Sequence, residues 1–241
     1  MKQIPLPIGV ATRRTFDSFL PGANEAAVSH LRALGARGAG GVAAAGGAGG
    51  DLAGTWAPVY LWGASGSGKT HLLQALVNHA DQQGLRSGWF SDRDAAPWYF
   101  DEAWALVVID ACDGLDADQQ HAAFALFVEA ATRSVPVAAA GRVPPVDLPL
   151  REDLRTRLAW GHVFAIQPLA ETEVRAALRR EADGRGLFLS DDVMDYLLTR
   201  FERDLKHLMA QLDRLDTFSM ATQRAITVPM LKRMLAEEST P

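Results

Sequence analysis

The sequence lacks the features that mark several common classes of protein. It has one cysteine among its 241 residues, so a disulfide framework and a cysteine-based zinc site are excluded. Its longest apolar run, residues 103–109, is far shorter than the roughly 20 residues that cross a bilayer, and its first residues carry no apolar signal segment. With 24 basic and 29 acidic residues, the net charge of −5 disfavours a surface that binds nucleic acid throughout. We therefore expect a cytoplasmic protein without a membrane partner.

The hydrophobic pattern divides the chain into two parts. Between residue 57 and Pro168, short apolar runs alternate with helical patterns, which is typical of a parallel sheet with helical crossovers. After Pro168 only helical patterns remain. They cover about 171–183, 190–201, 203–221 and 228–237. The predicted fold class is α/β: a parallel five-stranded sheet flanked by helices, followed by a small all-helical domain.

The domain boundaries follow from these patterns. We predict an extended N-terminal tail over 1–14, an α/β nucleotide-binding domain over 15–168 and a helical lid domain over 169–241. Residues 35–50 are almost only glycine and alanine. Because such a segment buries too little apolar surface to offset the entropy lost on ordering, we predict a flexible loop there.

A phosphate-binding loop is the clearest motif. Residues 63–70 read GASGSGKT, which satisfies the whole pattern G-x-x-x-x-G-K-[ST] between a strand pattern and a helical pattern. Its glycines let backbone N–H groups face an anion, Lys69 neutralises the β- and γ-phosphates, and the Thr70 hydroxyl ligates Mg²⁺. We therefore predict that ATP or ADP binds here with Mg²⁺. The predicted nucleotide-binding residues of this segment are Gly63, Ala64, Ser65, Gly66, Ser67, Gly68, Lys69, Thr70 and His71.

An acidic residue that could hold the metal ends the buried strand pattern ALVVID at 105–110. Asp110 would bind Mg²⁺ through water beside Thr70; the alternative is an aspartate that only caps the following loop. ATPases of this kind usually carry a second acid directly after this aspartate, which polarises the attacking water. Here Ala111 takes that position, and Asp113 lies two residues further on. The sequence therefore predicts weak or no intrinsic ATP hydrolysis.

Four segments together resemble the DnaA-related AAA+ family of bacterial replication proteins, and within it most closely the Hda regulators. They are TFDSFLPGAN (15–24), GASGSGKTHL (63–72), LRTRLAWG (154–161) and RDLKHLMAQLDRLD (203–216). Many families share the P-loop, whereas the third segment, which is similar to box VII, is far more discriminating together with the fourth, which is similar to the lid helix. The resemblance runs from about residue 14 to residue 235 and implies an AAA+ P-loop NTPase fold.

The resemblance also implies functional residues outside the P-loop. Phe16 and Phe19 would pack around the adenine of the nucleotide. Arg157 would be an arginine finger that acts in trans on ATP bound to a neighbouring protein. The alternatives are that Arg155 has this role, or that Arg157 is an ordinary surface arginine. Lys206 stands where the family usually has the sensor II arginine, so it either contacts the β-phosphate or is a solvated lid lysine.

A second departure from the family lies at sensor I. Gly141 or Arg142 occupies the position where DnaA-like proteins tend to carry a polar or acidic residue. Together with Ala111, this departure disfavours self-hydrolysis and favours a protein that holds ADP as a structural ligand.

The N-terminal tail resembles the short peptide by which Hda regulators bind the sliding clamp, the β subunit of DNA polymerase III. An extended segment can place alternate apolar side chains in a preformed pocket while a glutamine anchors its register. The predicted clamp-binding residues are Gln3, Ile4, Leu6 and Ile8. No basic helix-turn-helix pattern follows the lid pattern, so we expect a regulator rather than the initiator itself.

The resemblance thus implies an ADP-bound negative regulator of DNA replication initiation. It would dock on the sliding clamp, stimulate hydrolysis of DnaA-bound ATP through Arg157 and reach DNA only through the clamp; a homodimer is left open. Two alternatives stay open as well. One is a self-hydrolysing AAA+ ATPase such as a helicase loader, and the other is a DnaA paralogue that acts at DNA.

Overall fold

The structure, a computed structural model, describes residues 14–37, 57–200, 205–222 and 225–238. They form two compact units: the first comprises the residues up to Ala64 and Gly68–Gln167, and the second comprises Ser65–Ser67 and the residues from Pro168 onward. The four residues predicted to bind the clamp lie outside the described residues. So does most of the predicted Gly/Ala loop.

The first unit is built around a parallel sheet of five strands in the order β2-β3-β4-β1-β5. The strands are β1 (Val59–Trp62), β2 (Arg86–Phe90), β3 (Trp104–Ile109), β4 (Val137–Gly141) and β5 (His162–Ala165). The helices are α1 (Glu25–Arg37), α2 (Lys69–Gln82), α3 (Ala117–Thr132) and α4 (Glu152–Trp160). The predicted parallel sheet with flanking helices is confirmed.

Both faces of the sheet are covered, because successive side chains of a strand point to opposite sides. In β3, Leu106 and Val108 pack into the core that includes residues of α1 and α2, whereas Val107 and Ile109 pack into the core that includes residues of α3 and α4. Each such side chain contributes roughly 1.5–3 kcal/mol when it is fully buried. The apolar run that predicted a central strand therefore reflects burial on both faces.

Two boundaries differ from the sequence prediction for identifiable reasons. The strand expected from Val135 begins at Val137, because the Val135 N–H donates to the Ala130 carbonyl at 2.8 Å and so ends α3. The loop expected from residue 35 was predicted too early, since α1 continues to Arg37. Gly35 lies against α2, where a Cβ atom would be 2.7 Å from His79 Cδ2. This glycine serves close helix packing rather than flexibility.

The second unit consists of four described helices with a core of their own. They are α5 (Glu171–Gly184), α6 (Asp191–Arg200), α7 (Leu205–Thr222) and α8 (Val228–Glu238). Leu178, Leu197, Leu208 and Leu212 are fully buried in this core. None of the described helices is long and apolar enough to cross a membrane.

Candidate nucleotide site

The P-loop joins the end of β1 to the start of α2 and holds a backbone that favours glycine. Gly66 and Gly68 have positive φ angles of 77° and 98°, which L-side chains rarely adopt. A Cβ atom on Gly68 would also lie 2.7 Å from Cε2 of Phe19. The first turn of α2 follows directly, so its unpaired N–H groups and the positive end of its dipole face the loop. This geometry suits an anion such as a phosphate chain.

The lysine of the motif is hydrogen-bonded to the first residues of the loop. Lys69 Nζ donates hydrogen bonds of 2.8 Å to the carbonyl oxygens of Gly63 and Ala64. Burial lowers the pKa of Lys69, while the nearby carboxylates of Asp110 and Asp113 act in the opposite direction. Lys69 therefore interacts electrostatically with two acidic residues that follow β3 in the chain.

The two residues predicted to hold Mg²⁺ come together. Thr70 Oγ1, in the first turn of α2, donates to Oδ2 of Asp110, which directly follows β3, at 2.7 Å. Asp110 Oδ1 accepts the backbone N–H of Ala111 at 2.9 Å, which orients the carboxylate. Hydroxyl and carboxylate oxygens are ligands that Mg²⁺ prefers. The described residues contain no group of three or more His, Cys, Asp or Glu side chains that could hold a metal, so phosphate and water oxygens would complete the shell.

The position after Asp110 has an unusual backbone. Ala111 adopts the left-handed conformation, with φ 53° and ψ 43°, and a short 3₁₀ turn over Cys112–Gly114 follows. The turn brings Asp113 to Arg142, whose backbone N–H donates to Asp113 Oδ1 at 2.9 Å and whose Nε donates to Oδ2. Ala111 offers no carboxylate to activate water, and the carboxylate of Asp113 is bound to an arginine.

The N-terminal segment packs on the P-loop through Phe19 and His71. The His71 ring lies 5.4 Å from the Phe19 ring, and its Nε2 is 3.2 Å from Ser18 Oγ and 3.1 Å from the Thr15 carbonyl oxygen. Burial lowers the pKa of His71, which favours the neutral ring. Phe19 therefore borders the predicted phosphate site.

Phe16 lies apart from Phe19. It is buried, its ring meets the His79 ring edge-on at 5.8 Å, and the Arg32 guanidinium covers it at 5.2 Å. In this position Phe16 anchors the segment to α1 and α2. Its contact with adenine stays a prediction.

The predicted arginine finger, Arg157, lies in the last turn of α4. The Arg157 guanidinium lies over the Phe124 ring of α3 at 5.0 Å. A guanidinium over an aromatic ring makes a cation–π contact, which restricts its orientation. Arg151 also approaches this ring but is paired with Asp153 at 2.7 Å. Arg157 borders a shallow apolar groove that includes Trp160, which is 56% exposed.

Lys206 lies in the first turn of α7, and only its backbone is described. Its role at sensor II stays a prediction. Sequence patterns predicted neither the contact of Asp113 with Arg142 nor the ring of Phe124 under Arg157. Neither pair has a local signal, because the partners are far apart in the chain and meet only in the folded sheet.

Two family models match the chain in separate places. The bacterial DnaA ATPase domain matches residues 10–87, which include the P-loop, and the Hda lid domain matches residues 171–235, which include most of the helical unit. The chain belongs to the Hda/DnaA-related AAA+ family. Its combination of a DnaA-like AAA+ domain with a Hda lid supports a DnaA-related replication regulator.

Solved structures share the fold of this family member at low sequence identity. Domain III of the replication initiation protein DnaA from Thermotoga maritima aligns with 95% of the chain and 98% of its own length, with 18% identity and a TM-score of 0.70. AMPPCP-bound DnaA from Aquifex aeolicus aligns with 95% of the chain and 70% of its own, with 18% identity and a TM-score of 0.69. A RuvB mutant of Thermotoga maritima reaches a TM-score of 0.66 at 14% identity. These similarities support the AAA+ fold of the family.

Proposed function

We propose that this chain is a Hda-type negative regulator of replication initiation that promotes hydrolysis of ATP bound to DnaA. The observation that carries the proposal is the joint match to a DnaA ATPase domain and a Hda lid. The chain binds ADP or ATP with Mg²⁺ at the P-loop. The contact of Thr70 with Asp110 supports this assignment, and so does AMPPCP in a structurally similar DnaA.

Arg157 is the residue that acts on the partner. A phosphate-binding finger needs a charged group whose N–H edge is available and whose orientation is restricted. The contact with Phe124 supports a restricted orientation, and the pairing of Arg151 with Asp153 makes Arg157 the better candidate of these two. Arg155, on the same helix, is the other candidate. In trans, Arg157 would stabilise the charge that develops on the transferred phosphoryl group.

The proposed tail interaction brings this activity to replicating DNA. Gln3, Ile4, Leu6 and Ile8 bind the sliding clamp, and the clamp carries the regulator to the DNA where DnaA is found. Direct contact with DNA is not part of the proposal, which agrees with the net charge of −5.

The decisive experiment measures ATP bound to purified DnaA, with the clamp loaded on DNA. The full chain is expected to convert this ATP to ADP. The Arg157→Ala variant is expected to do so at a rate at least tenfold lower, because an arginine finger accelerates hydrolysis by a factor of about 10³–10⁵. Arg86→Ala is the control, since Arg86 is an arginine of β2, at the other edge of the sheet from β5, and pairs with Asp101 instead of contacting an aromatic ring. Unchanged conversion by Arg157→Ala contradicts the assignment, and a loss in Arg155→Ala moves it to that residue.

Clamp binding is tested separately with the Gln3→Ala/Leu6→Ala double variant. This variant is expected to lose binding to the clamp of the same organism, while Thr12→Ala binds as the unaltered chain does. No binding of the unaltered chain at tens of micromolar, about −6 kcal/mol, rejects the clamp-linked mechanism.

Two further measurements on the isolated chain distinguish the alternative functions. Rapid ATP turnover by the isolated chain that Lys69→Ala abolishes favours a self-hydrolysing motor such as a helicase loader. Salt-dependent binding to duplex DNA favours a DnaA paralogue that acts at DNA.

A further inference from the structure

An ion pair beside the P-loop has no role in the proposed function. Asp113 Oδ1 accepts the backbone N–H of Arg142 at 2.9 Å, and Oδ2 accepts the Nε–H of the same residue. The Asp113 side chain is only 10% exposed, whereas that of Arg142 is 69% exposed. One arginine thus engages both oxygens of a nearly buried carboxylate.

The pair lies at the edge of the sheet where the P-loop begins. Arg142 follows Gly141, the last residue of β4, which is in register with Trp62 at the end of β1. A Cβ atom on Gly141 would be 3.3 Å from Asp113 Oδ1. Both charges also act on Lys69: Asp113 raises the pKa of this lysine, and Arg142 lowers it. The ion pair is therefore within electrostatic range of the phosphate-binding lysine.

The backbone is shaped to place Asp113 there. Ala111 adopts the left-handed conformation, which is unfavourable for a residue with a Cβ atom, and this turn redirects the chain after Asp110. The 3₁₀ turn over Cys112–Gly114 then carries Asp113 back to the end of β4. A carboxylate thus comes close to the site even though Ala111 supplies none.

We propose that this ion pair is an autoinhibitory contact, in which Arg142 withholds Asp113, a latent general base, from ATP hydrolysis. The inference rests on the proposed binding of ATP at the P-loop. It goes beyond that binding by assigning the low intrinsic hydrolysis to a specific contact, in addition to the missing acid at Ala111.

The chemistry follows from what a general base must do. In hydrolysis, the oxygen of water forms a bond to the γ-phosphorus while the bond from that phosphorus to the β,γ-bridging oxygen breaks. The base takes a proton from the water, and ADP and inorganic phosphate are the products. Because both oxygens of Asp113 accept hydrogen bonds from Arg142, the arginine competes with a water molecule for the carboxylate. Removal of the guanidinium frees Oδ2 of Asp113 to take that proton.

The test is a gain of function in the isolated full chain, measured as ATP hydrolysis at saturating ATP and Mg²⁺ without DnaA. Arg142→Asn is expected to raise the rate at least tenfold, within the range of about 10²–10⁴ that general bases contribute. The Arg142→Asn/Asp113→Asn double variant is expected to return to the rate of the unaltered chain. Arg86→Asn is the matched control, because it breaks an ion pair in which the arginine is 64% exposed, and its rate should not change.

Binding of a transition-state mimic gives a second readout. ADP with aluminium fluoride resembles the phosphoryl group in transfer, and such analogues bind more tightly where the transition state is better stabilised. Arg142→Asn is expected to bind this complex about tenfold more tightly than the unaltered chain, while its affinity for ADP alone changes less than twofold. The double variant should lose the gain.

The outcomes separate this inference from the proposed function. An Arg142→Asn protein that binds ATP but hydrolyses it within twofold of the unaltered rate overturns the inference alone. A gain that persists in the double variant also overturns it, because Asp113 is then not the base. Failure of the unaltered chain to bind ATP overturns the proposed nucleotide site together with the inference.

Discussion

The candidate site has two parts at one edge of the sheet: one is suited to binding phosphate, and the other lies where water would be activated. The phosphate-binding half has a complete P-loop, with Thr70 hydrogen-bonded to Asp110. The water-activating half has Ala111 in place of an acid and has Asp113 bound to Arg142. Under the proposed function, phosphate binding and water activation would therefore depend on different residues, and the site would retain its nucleotide while its own hydrolysis is slow. Such a division suits a regulator whose chemistry takes place on a partner.

The largest expected effect comes from removing the charge in the binding half. Lys69→Ala deletes the ammonium group and its hydrogen bonds to Gly63 and Ala64, so we expect at least a hundredfold loss of ATP and ADP affinity, about 2.7 kcal/mol. Fluorescence titration with a labelled nucleotide measures the affinity. Lys232→Ala, in the helical unit, should bind nucleotide normally. Comparable affinity of Lys69→Ala and the unaltered chain would remove the P-loop from the proposed site.

The shape of the loop is tested by Gly68→Ala. The new Cβ atom would lie 2.7 Å from Phe19 in a backbone with φ 98°, so we expect a loss of about 2 kcal/mol in the free energy of unfolding. Urea denaturation measures it. Gly84→Ala is the matched control, since Gly84 also has a positive φ, 75°, but nothing lies within 4 Å of its added Cβ. Equal losses in both variants would show that backbone strain alone, and not contact with Phe19, restricts the loop.

Thr70→Val separates metal binding from phosphate binding. The isosteric change removes the hydroxyl that donates to Asp110, and we expect about a tenfold loss of ATP affinity with Mg²⁺ present. With the metal chelated, the variant and the unaltered chain should have similar affinities. Thr70→Ser, which retains the hydroxyl, should recover most of the loss. A deficit that persists without Mg²⁺ would mean that Thr70 acts on the loop rather than on the metal.

The smallest expected effect lies in the water-activating half. Ala111→Gly relieves the left-handed backbone, so we expect the free energy of unfolding to rise by about 1 kcal/mol while ATP hydrolysis stays low. Ser134→Gly is the control at the other described left-handed residue that is not glycine, with a similar φ of 57° and a place outside the site. A marked increase in hydrolysis by Ala111→Gly alone would show that loop shape, rather than the bound carboxylate, limits the rate.

Local patterns predicted the parts of the site that lie on continuous segments. The apolar run Val59–Trp62 followed by GASGSGKT predicts a strand, a glycine-rich turn and a helix start, and β1 has the bounds of that run. The prediction was less accurate where a residue contacts a partner that is distant in the sequence. The composition around Gly35 predicts a loop, but Gly35 belongs to α1 and allows this helix to approach His79.

The P-loop, the alternation of strands and helices, the change to an all-helical unit and the lack of an acid at position 111 can all be recognised in the sequence. The contacts of Thr70 with Asp110 and of Asp113 with Arg142 can be recognised only in the folded chain. The physical reason is the strand order: β4 lies between β3 and β1, so three segments that are distant in the chain end side by side. Parallel strands place their carboxyl ends at one edge of the sheet, and there side chains from distant segments combine into one site.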